Sequence, residues 1–170
     1  LSLTHELRFG KGDELNTSFY YADFLRDWWR QSSTTTDTQC GNGFRDARFS
    51  GLAVDPDTCN STQGRLRAFY TRGIEPRLTL HHGLFGSEST FEAGLRYHME
   101  VQERLQLNGS SSNARTGTVA EDNRRELDAV AMFVSNTFHW GDFALTPSLR
   151  HERIDFYRLN KLTAQSARTE

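Results

Sequence analysis

Few residues in this chain could carry chemistry on their own. Cys40 and Cys59 lie in a stretch rich in Ser, Thr, Gly and Asp, which suits a loop-closing disulfide in an oxidising compartment, two unrelated free thiols being the alternative. By the chain-entropy model, closing such a loop removes denatured-state freedom worth about 3 kcal/mol. Neither cysteine belongs to a CxxC pair, and the histidines stand singly or as the adjacent pair His81-His82. That spacing converges no four zinc ligands. Asp55-Pro-Asp-Thr-Cys-Asn60 begins like a calcium loop, but its sixth position is Asn60, not Gly, and its twelfth is Leu66, not Glu. The sharp turn and the bidentate carboxylate are therefore both missing. Glu92 and His81 could act as an acid–base pair, yet such pairs are ordinary on a wetted sheet face. GxSxG, P-loop and dinucleotide fingerprints are absent, so neither an enzyme nor a resident cofactor is expected.

Composition narrows the partners. Across 170 residues, Lys+Arg 20 against Asp+Glu 22 gives a net charge of -2, which leaves no basic field to draw nucleic acid. A mean hydropathy of -0.67, with no apolar run near the ~18 residues of a spanning helix, excludes helical membrane spans. It does not exclude strands, which cross in about 9–11 residues with only alternate positions apolar. The chain opens in a strand-like pattern, Leu1, Leu3 and Leu7, so any export signal is expected outside this sequence.

From Ser89 to Leu107 a two-residue period is clear. Phe91, Ala93, Leu95, Tyr97, Met99 and Val101 alternate with Glu92, Arg96, His98, Glu100 and Gln102, the pattern of a strand with one apolar and one polar face. Before it, Ile74, Pro76, Leu78 and Leu80 alternate with Glu75, Arg77, Thr79 and His81. A turn over Phe85-Gly-Ser-Glu88 would pair Leu84 with Ser89, Leu80 with Ala93, Leu78 with Leu95, Pro76 with Tyr97 and Ile74 with Met99. Apolar then meets apolar, whereas a one-residue slip mixes charges with apolar side chains. Pro76 has no N–H for the ladder, so a local break or bulge is expected there.

Two more hairpins follow: Leu1–Phe9 with Leu15–Trp29 around Gly10-Lys-Gly-Asp13, and Leu127–Trp140 with Phe143–Arg153 around Gly141-Asp142. The reading is all-β, antiparallel and up-and-down, with about six strands in hairpins at about 1–30, 64–107 and 126–160. Long polar connections run over roughly 31–63 and 108–125, including Ser32-Ser-Thr-Thr-Thr-Asp-Thr38 and Gly109-Ser-Ser-Ser-Asn113. Short turns at one end, long loops at the other, and aromatics near strand ends (Trp28, Trp29, Phe138, Trp140, Phe143) are features of an outer-membrane barrel. An Arg facing lipid near midplane would cost about 2–4 kcal/mol, so Arg77 and Arg96 are assigned to the lumen. Six strands cannot close even the smallest usual barrel, and an arc of something larger is expected.

Gly73-Ile-Glu-Pro-Arg77, Gly94-Leu-Arg-Tyr-His-Met-Glu100 and Thr146-Pro-Ser-Leu-Arg-His-Glu152 resemble, in order and spacing, barrel strands of TonB-dependent outer-membrane receptors, most closely the ferric citrate receptor branch. Phe24-Leu-Arg-Asp-Trp-Trp-Arg30 fits more loosely. Ser148 departs from the family's usual Gly, and the loop holding Cys40 and Cys59 has no family counterpart. The resemblance implies a segment of a 22-stranded transmembrane β-barrel in the bacterial outer membrane, enclosing a plug, that takes up an iron chelate with force from the TonB complex. The plug and the TonB-contacting segment would lie outside this sequence.

What the resemblance implies for the site is a set of cations, preferably forked arginines, holding an anionic, carboxylate-rich chelate at the outer mouth. Arg65 and Arg67 share parity with Glu75 and Arg77 and stand toward the long-loop end. Arg67 lies six residues before Gly73, where ferric citrate receptors likewise carry Arg. Arg104 and Gln106 would widen the patch through pairings 65–108, 67–106 and 69–104. Arg30, like Arg26, could meet either the ligand or lipopolysaccharide, because the facing of 15–30 stays open; Asp23 is placed inward, leaving Tyr20, Ala22 and Phe24 to lipid. Arg72, of opposite parity, would meet lipopolysaccharide. The alternatives are a passive porin or structural barrel segment, and a soluble sugar-binding sandwich.

Overall fold

The computed structural model describes residues 1–31, 40–55, 58–59 and 61–169. These form one antiparallel sheet: β1 (Ser2–Phe9), β2 (Asp13–Arg30), β3 (Thr62–Leu84), β4 (Ser87–Gly109), β5 (Thr118–Trp140), β6 (Phe143–Leu145), β7 (Ser148–Asn160) and β8 (Gln165–Thr169), with helix α1 (Asn42–Phe49) between β2 and β3. Neighbours in sequence are neighbours in space, in the order β1-β2-β3-β4-β5-β7-β8, with β6 beside β5. The up-and-down reading therefore stands, with the strand expected from Phe143 split at Thr146-Pro147 into β6 and β7 and one short strand, β8, beyond the six expected.

Alternation decides which face each residue takes, and the sheet has no dry interior. Among the described residues the single buried hydrophobic one is Cys59, while Leu95 and Val134 are 44% and 39% exposed. An apolar face this large, uncovered by any second layer, needs a medium other than water against it. On the apolar face of β3, Ile74 through Leu84 match the length of a β-span, about 9–11 residues. Its upper edge is the row Tyr21, Arg72, Met99, Asp128 and Asp155. Above it the same face of β4 and β5 carries Glu103, Arg124 and Lys161-bound Asp122, so the long strands continue beyond the apolar band. At the short-turn end Phe138 stacks on Trp140 at 5.5 Å, and Phe143 continues the stack at 6.3 Å. That cluster fits an interfacial girdle.

Several expectations need correction. The turn between β3 and β4 is the two-residue Phe85-Gly86, with φ of 55° and 70°, both left-handed as a tight hairpin of this hand requires. The register is therefore shifted by two from the expected one: Leu80 faces Phe91, Leu78 faces Ala93, Ile74 faces Tyr97, Arg65 faces Gln106 and Arg67 faces Arg104. A two-residue shift preserves the faces, so the parity assignment survives the wrong pairing. The break expected at Pro76 is present, as a gap in the β3–β4 ladder at Glu75 and Pro76 with no change of register. A separate bulge lies in the β4–β5 ladder, where Ala120 is the extra residue opposite Gln106 and Leu107.

The facing of β2 is the reverse of that expected. Asn16 lies opposite Arg77, Ser18 opposite Glu75 and Tyr20 opposite Gly73, which puts Tyr20, Ala22, Phe24, Arg26, Trp28 and Arg30 on the polar face. Asp23 turns to the other side, above the apolar band, where it costs little. Trp28 thus leaves the expected girdle. The connection after β4 is also shorter than 108–125, since β4 runs to Gly109 and β5 starts at Thr118. Within 31–63, Ser32 to Thr38, and Pro56, Asp57 and Asn60 of the calcium-like stretch, lie outside the described residues. Cys40 and Cys59 are joined in a disulfide, their Cα atoms 4.7 Å apart, which closes the segment holding α1.

One glycine lets three strands lock together. The Tyr20 side chain crosses over Gly73, and its hydroxyl lies 2.7 Å from His98 Nδ1 on β4. A Cβ at Gly73 would collide with that tyrosine and come within 2.6 Å of the Tyr97 carbonyl oxygen. Gly73→Ala in the full-length protein is expected to cost about 1–3 kcal/mol and to lower the yield of folded, heat-modifiable protein on gels. Gly43→Ala, where a Cβ meets nothing within 4 Å, should leave the yield unchanged; equal yields from both would remove the lock. Reduction of Cys40–Cys59 should open the segment around α1 to limited proteolysis while β3 and β4 stay protected. An unchanged cleavage map would deny the disulfide that role.

Candidate functional site

Above the apolar band the polar face changes character. The rows across the sheet read Phe24, Phe69, Gln102, Arg125 and Arg158; then Arg26, Arg67, Arg104 and Asn123; then Trp28, Arg65, Gln106 and Glu121; then Arg30, Gln63 and Asn108. Arginines stand directly opposite one another from Arg26 to Arg67 to Arg104, and again from Arg125 to Arg158. Like charges in cross-strand register destabilise a sheet, so this arrangement is costly without a counter-charge. On these described rows the lone carboxylate is Glu121.

Glu121 is shared. Its Oε2 lies 3.3 Å from Arg67 Nη2 and its Oε1 3.4 Å from Arg104 Nε, and Asn123 Nδ2 donates to the same Oε1 at 2.8 Å. Arg67 is 5% exposed and donates from Nη1 to the backbone carbonyls of Leu66 and Leu105. Burial first, then repulsion from Arg104, lowers its pKa against the opposing pull of Glu121. Burial, with Arg104 and Arg158 next, lowers that of Arg125 in the same way, and the buried Arg125 Nε has no hydrogen-bond partner. Neither guanidinium loses its proton at any ordinary pH; burial is the first cause of both shifts and neighbouring positive charge adds to it. Asn123, 2% exposed, leaves its Oδ1 without a partner.

Beside this cluster, Trp28 gathers three guanidiniums: Arg30 at 5.2 Å, Arg26 at 5.8 Å and Arg65 at 5.9 Å from the ring centroid. Gln63 Oε1 accepts from Arg30 Nη2 at 3.3 Å and from Arg65 Nε at 2.8 Å. Lower on the same face the balance reverses. Glu14, Glu75 and Glu92 surround one cation, Arg77, along with Asn16, Ser18 and Thr79, in a cavity of about 470 Å³.

The residues singled out from sequence, Arg30, Arg65, Arg67, Arg104 and Gln106, fall on one face in three adjacent rows. Arg67 is enclosed and committed to protein partners, which suits a support for the cluster better than a direct contact. Sequence reasoning left Arg26 open and missed Trp28 as a polar-face residue, together with Glu121, Asn123, Arg125 and Arg158. Arg26, Trp28 and Arg30 alternate at even positions, a signal that was readable once β2 was registered on β3. Arg125 was hidden by the overlong loop assignment. Among the described residues no group of three or more His, Cys, Asp or Glu could hold a metal ion.

The crystal structure of the ferric citrate transporter FecA in its unliganded form superposes on this chain with a TM-score of 0.76, over 99% of this chain and 22% of that one, at 19% identity. At that identity the likeness speaks to fold. The chain thus spans about a fifth of the length of that protein. A family description, TonB dependent receptor-like beta-barrel, matches residues 1–169. The sheet, its two unlike faces and this match agree, and the chain belongs to the β-barrel family of TonB-dependent outer-membrane receptors.

Proposed function

We propose that this chain is part of the barrel wall and outer mouth of a receptor that takes up an anionic iron chelate, of the ferric citrate kind, across the bacterial outer membrane by TonB-dependent active transport. The observation that carries the reading is the surplus of arginine on the upper polar face, in like-charged rows where Glu121 is the lone carboxylate among the described residues. A carboxylate-rich anion supplies the missing counter-charge, and the guanidinium fork matches carboxylate geometry. Arg26, Arg65 and Arg104 are the expected direct contacts, with Gln106 beside them and Arg67 holding Glu121 in place. Iron enters as cargo inside the chelate, and the protein needs no resident cofactor.

The apolar band meets outer-membrane lipid, and Arg72 at its upper edge meets lipopolysaccharide phosphate. Energy comes from the TonB complex through a part of the receptor outside this segment. A passive porin fits the charges less well, since an anion drawn to the mouth would next face Glu14, Glu75 and Glu92.

Arg65→Ala combined with Arg104→Ala in the full-length receptor should weaken ferric citrate binding at least about tenfold, as expected for charge-assisted bonds of about 1.5–3 kcal/mol each. It should also flatten the dependence of affinity on salt. Titration that gives unaltered affinity and slope would remove these residues from the site. Arg125→Gln should act in two opposite senses, raising the melting temperature of the unliganded barrel by relieving the Arg125–Arg158 repulsion while lowering affinity. A variant less stable without ligand would argue against unbalanced charge.

A further inference from the structure

Three of the mouth arginines converge on one ring, and we infer that Trp28 is the positioning residue that gathers Arg26, Arg30 and Arg65 into a single anion-binding tripod. The inference rests on the anionic-chelate reading above and adds to it how the cations are held before ligand arrives. Flexible arginines that repel one another would spread apart in water, and an anion would have to order them on binding, at a cost in affinity.

The register places Trp28 where it can prevent this. Arg26 and Arg30 flank it at alternate positions of β2, and Arg65 is its direct cross-strand partner on β3. All three guanidinium carbons lie 5.2–5.9 Å from the ring centroid, inside the range in which an aromatic quadrupole attracts a cation. Gln63, 4% exposed, ties Arg30 and Arg65 through one shared oxygen. No such tie reaches Arg26 among the described residues, and its neighbour Arg67 repels it. The ring is thus what holds Arg26 in the group. The indole is 42% exposed, so an anion settling on the three cations would lie beside it.

The test is ferric citrate titration of the full-length receptor carrying Trp28→Leu or Trp28→Phe, alone and combined with Arg65→Ala. Trp28→Leu should weaken binding about tenfold with the salt dependence retained, because no charge is lost. Trp28→Phe, which keeps a quadrupole, should stay within about threefold of the parent. In the double variant the effect of Trp28→Leu should shrink, since part of what it positions is already gone. An effect of Trp28→Leu that is absent, is equal in Trp28→Phe, or adds in full to that of Arg65→Ala would overturn the positioning role and leave the chelate reading intact. Failure of the unsubstituted receptor to bind ferric citrate would overturn both.

Discussion

What this structure depends on is the backbone ladder between strands, because no second layer packs on the sheet among the described residues. The sheet has no packed interior either; Cys59 is the lone buried hydrophobic residue described. In hydrocarbon an unpaired N–H or C=O costs several kcal/mol, and a barrel wall answers that by pairing each strand with the next. Side chains then choose between two media. Leu95 and Val134 on one side call for an apolar medium, and Arg77 and Glu75, 3.4 Å apart, on the other for water. Register matters more here than in a globular protein, for an odd slip would drive every charge of a strand into lipid.

That constraint also explains what could be read from sequence. Parity is a local property, visible in Phe91 to Val101 and again in Ile74 to Leu80, and it yielded the fold class, the two faces and the lumenal side of Arg77 and Arg96. Register is set by the turn, and Phe85-Gly86 does not advertise itself. A two-residue hairpin with both residues at positive φ usually announces itself as Asn-Gly or Asp-Gly, whereas a phenylalanine at φ 55° is an unfavourable choice sequence rules would not suggest. The facing of β2 was unreadable for another reason. Aromatics fall on both parities there, with Phe19, Tyr21 and Trp29 on one side and Tyr20, Phe24 and Trp28 on the other, so only the pairing with β3 decides.

The mouth was legible in part for the same reason. Arg65 and Arg67 share parity with residues of known facing, so extrapolation along one strand gave the face they occupy. Arg125 and Arg158 join the cluster only through the ladder, two and three strands further on from β3, and Arg26 only through β2. Their juxtaposition breaks a rule of sheet pairing, and such violations concentrate at functional positions, where local stability is given up for binding. Glu121 shows how limited the compensation is: one carboxylate serves both Arg67 and Arg104.

The charge on the polar face is not uniform along the strands, and its gradient bears on how a receptor built this way must work. Cations crowd the end beyond the apolar band, while Glu14, Glu75 and Glu92 face the lumen nearer the short turns. An anion meeting this wall is attracted at the top and repelled below, so diffusion alone would leave it where it first bound. Such a surface is suited to capture and poorly suited to conduction. Moving the anion past the carboxylates then requires either neutralising it, surrounding it with cations from other parts of the barrel, or supplying work from outside. On the function proposed above, the last of these is what the TonB complex would supply, and the charge on this arc is consistent with that reading.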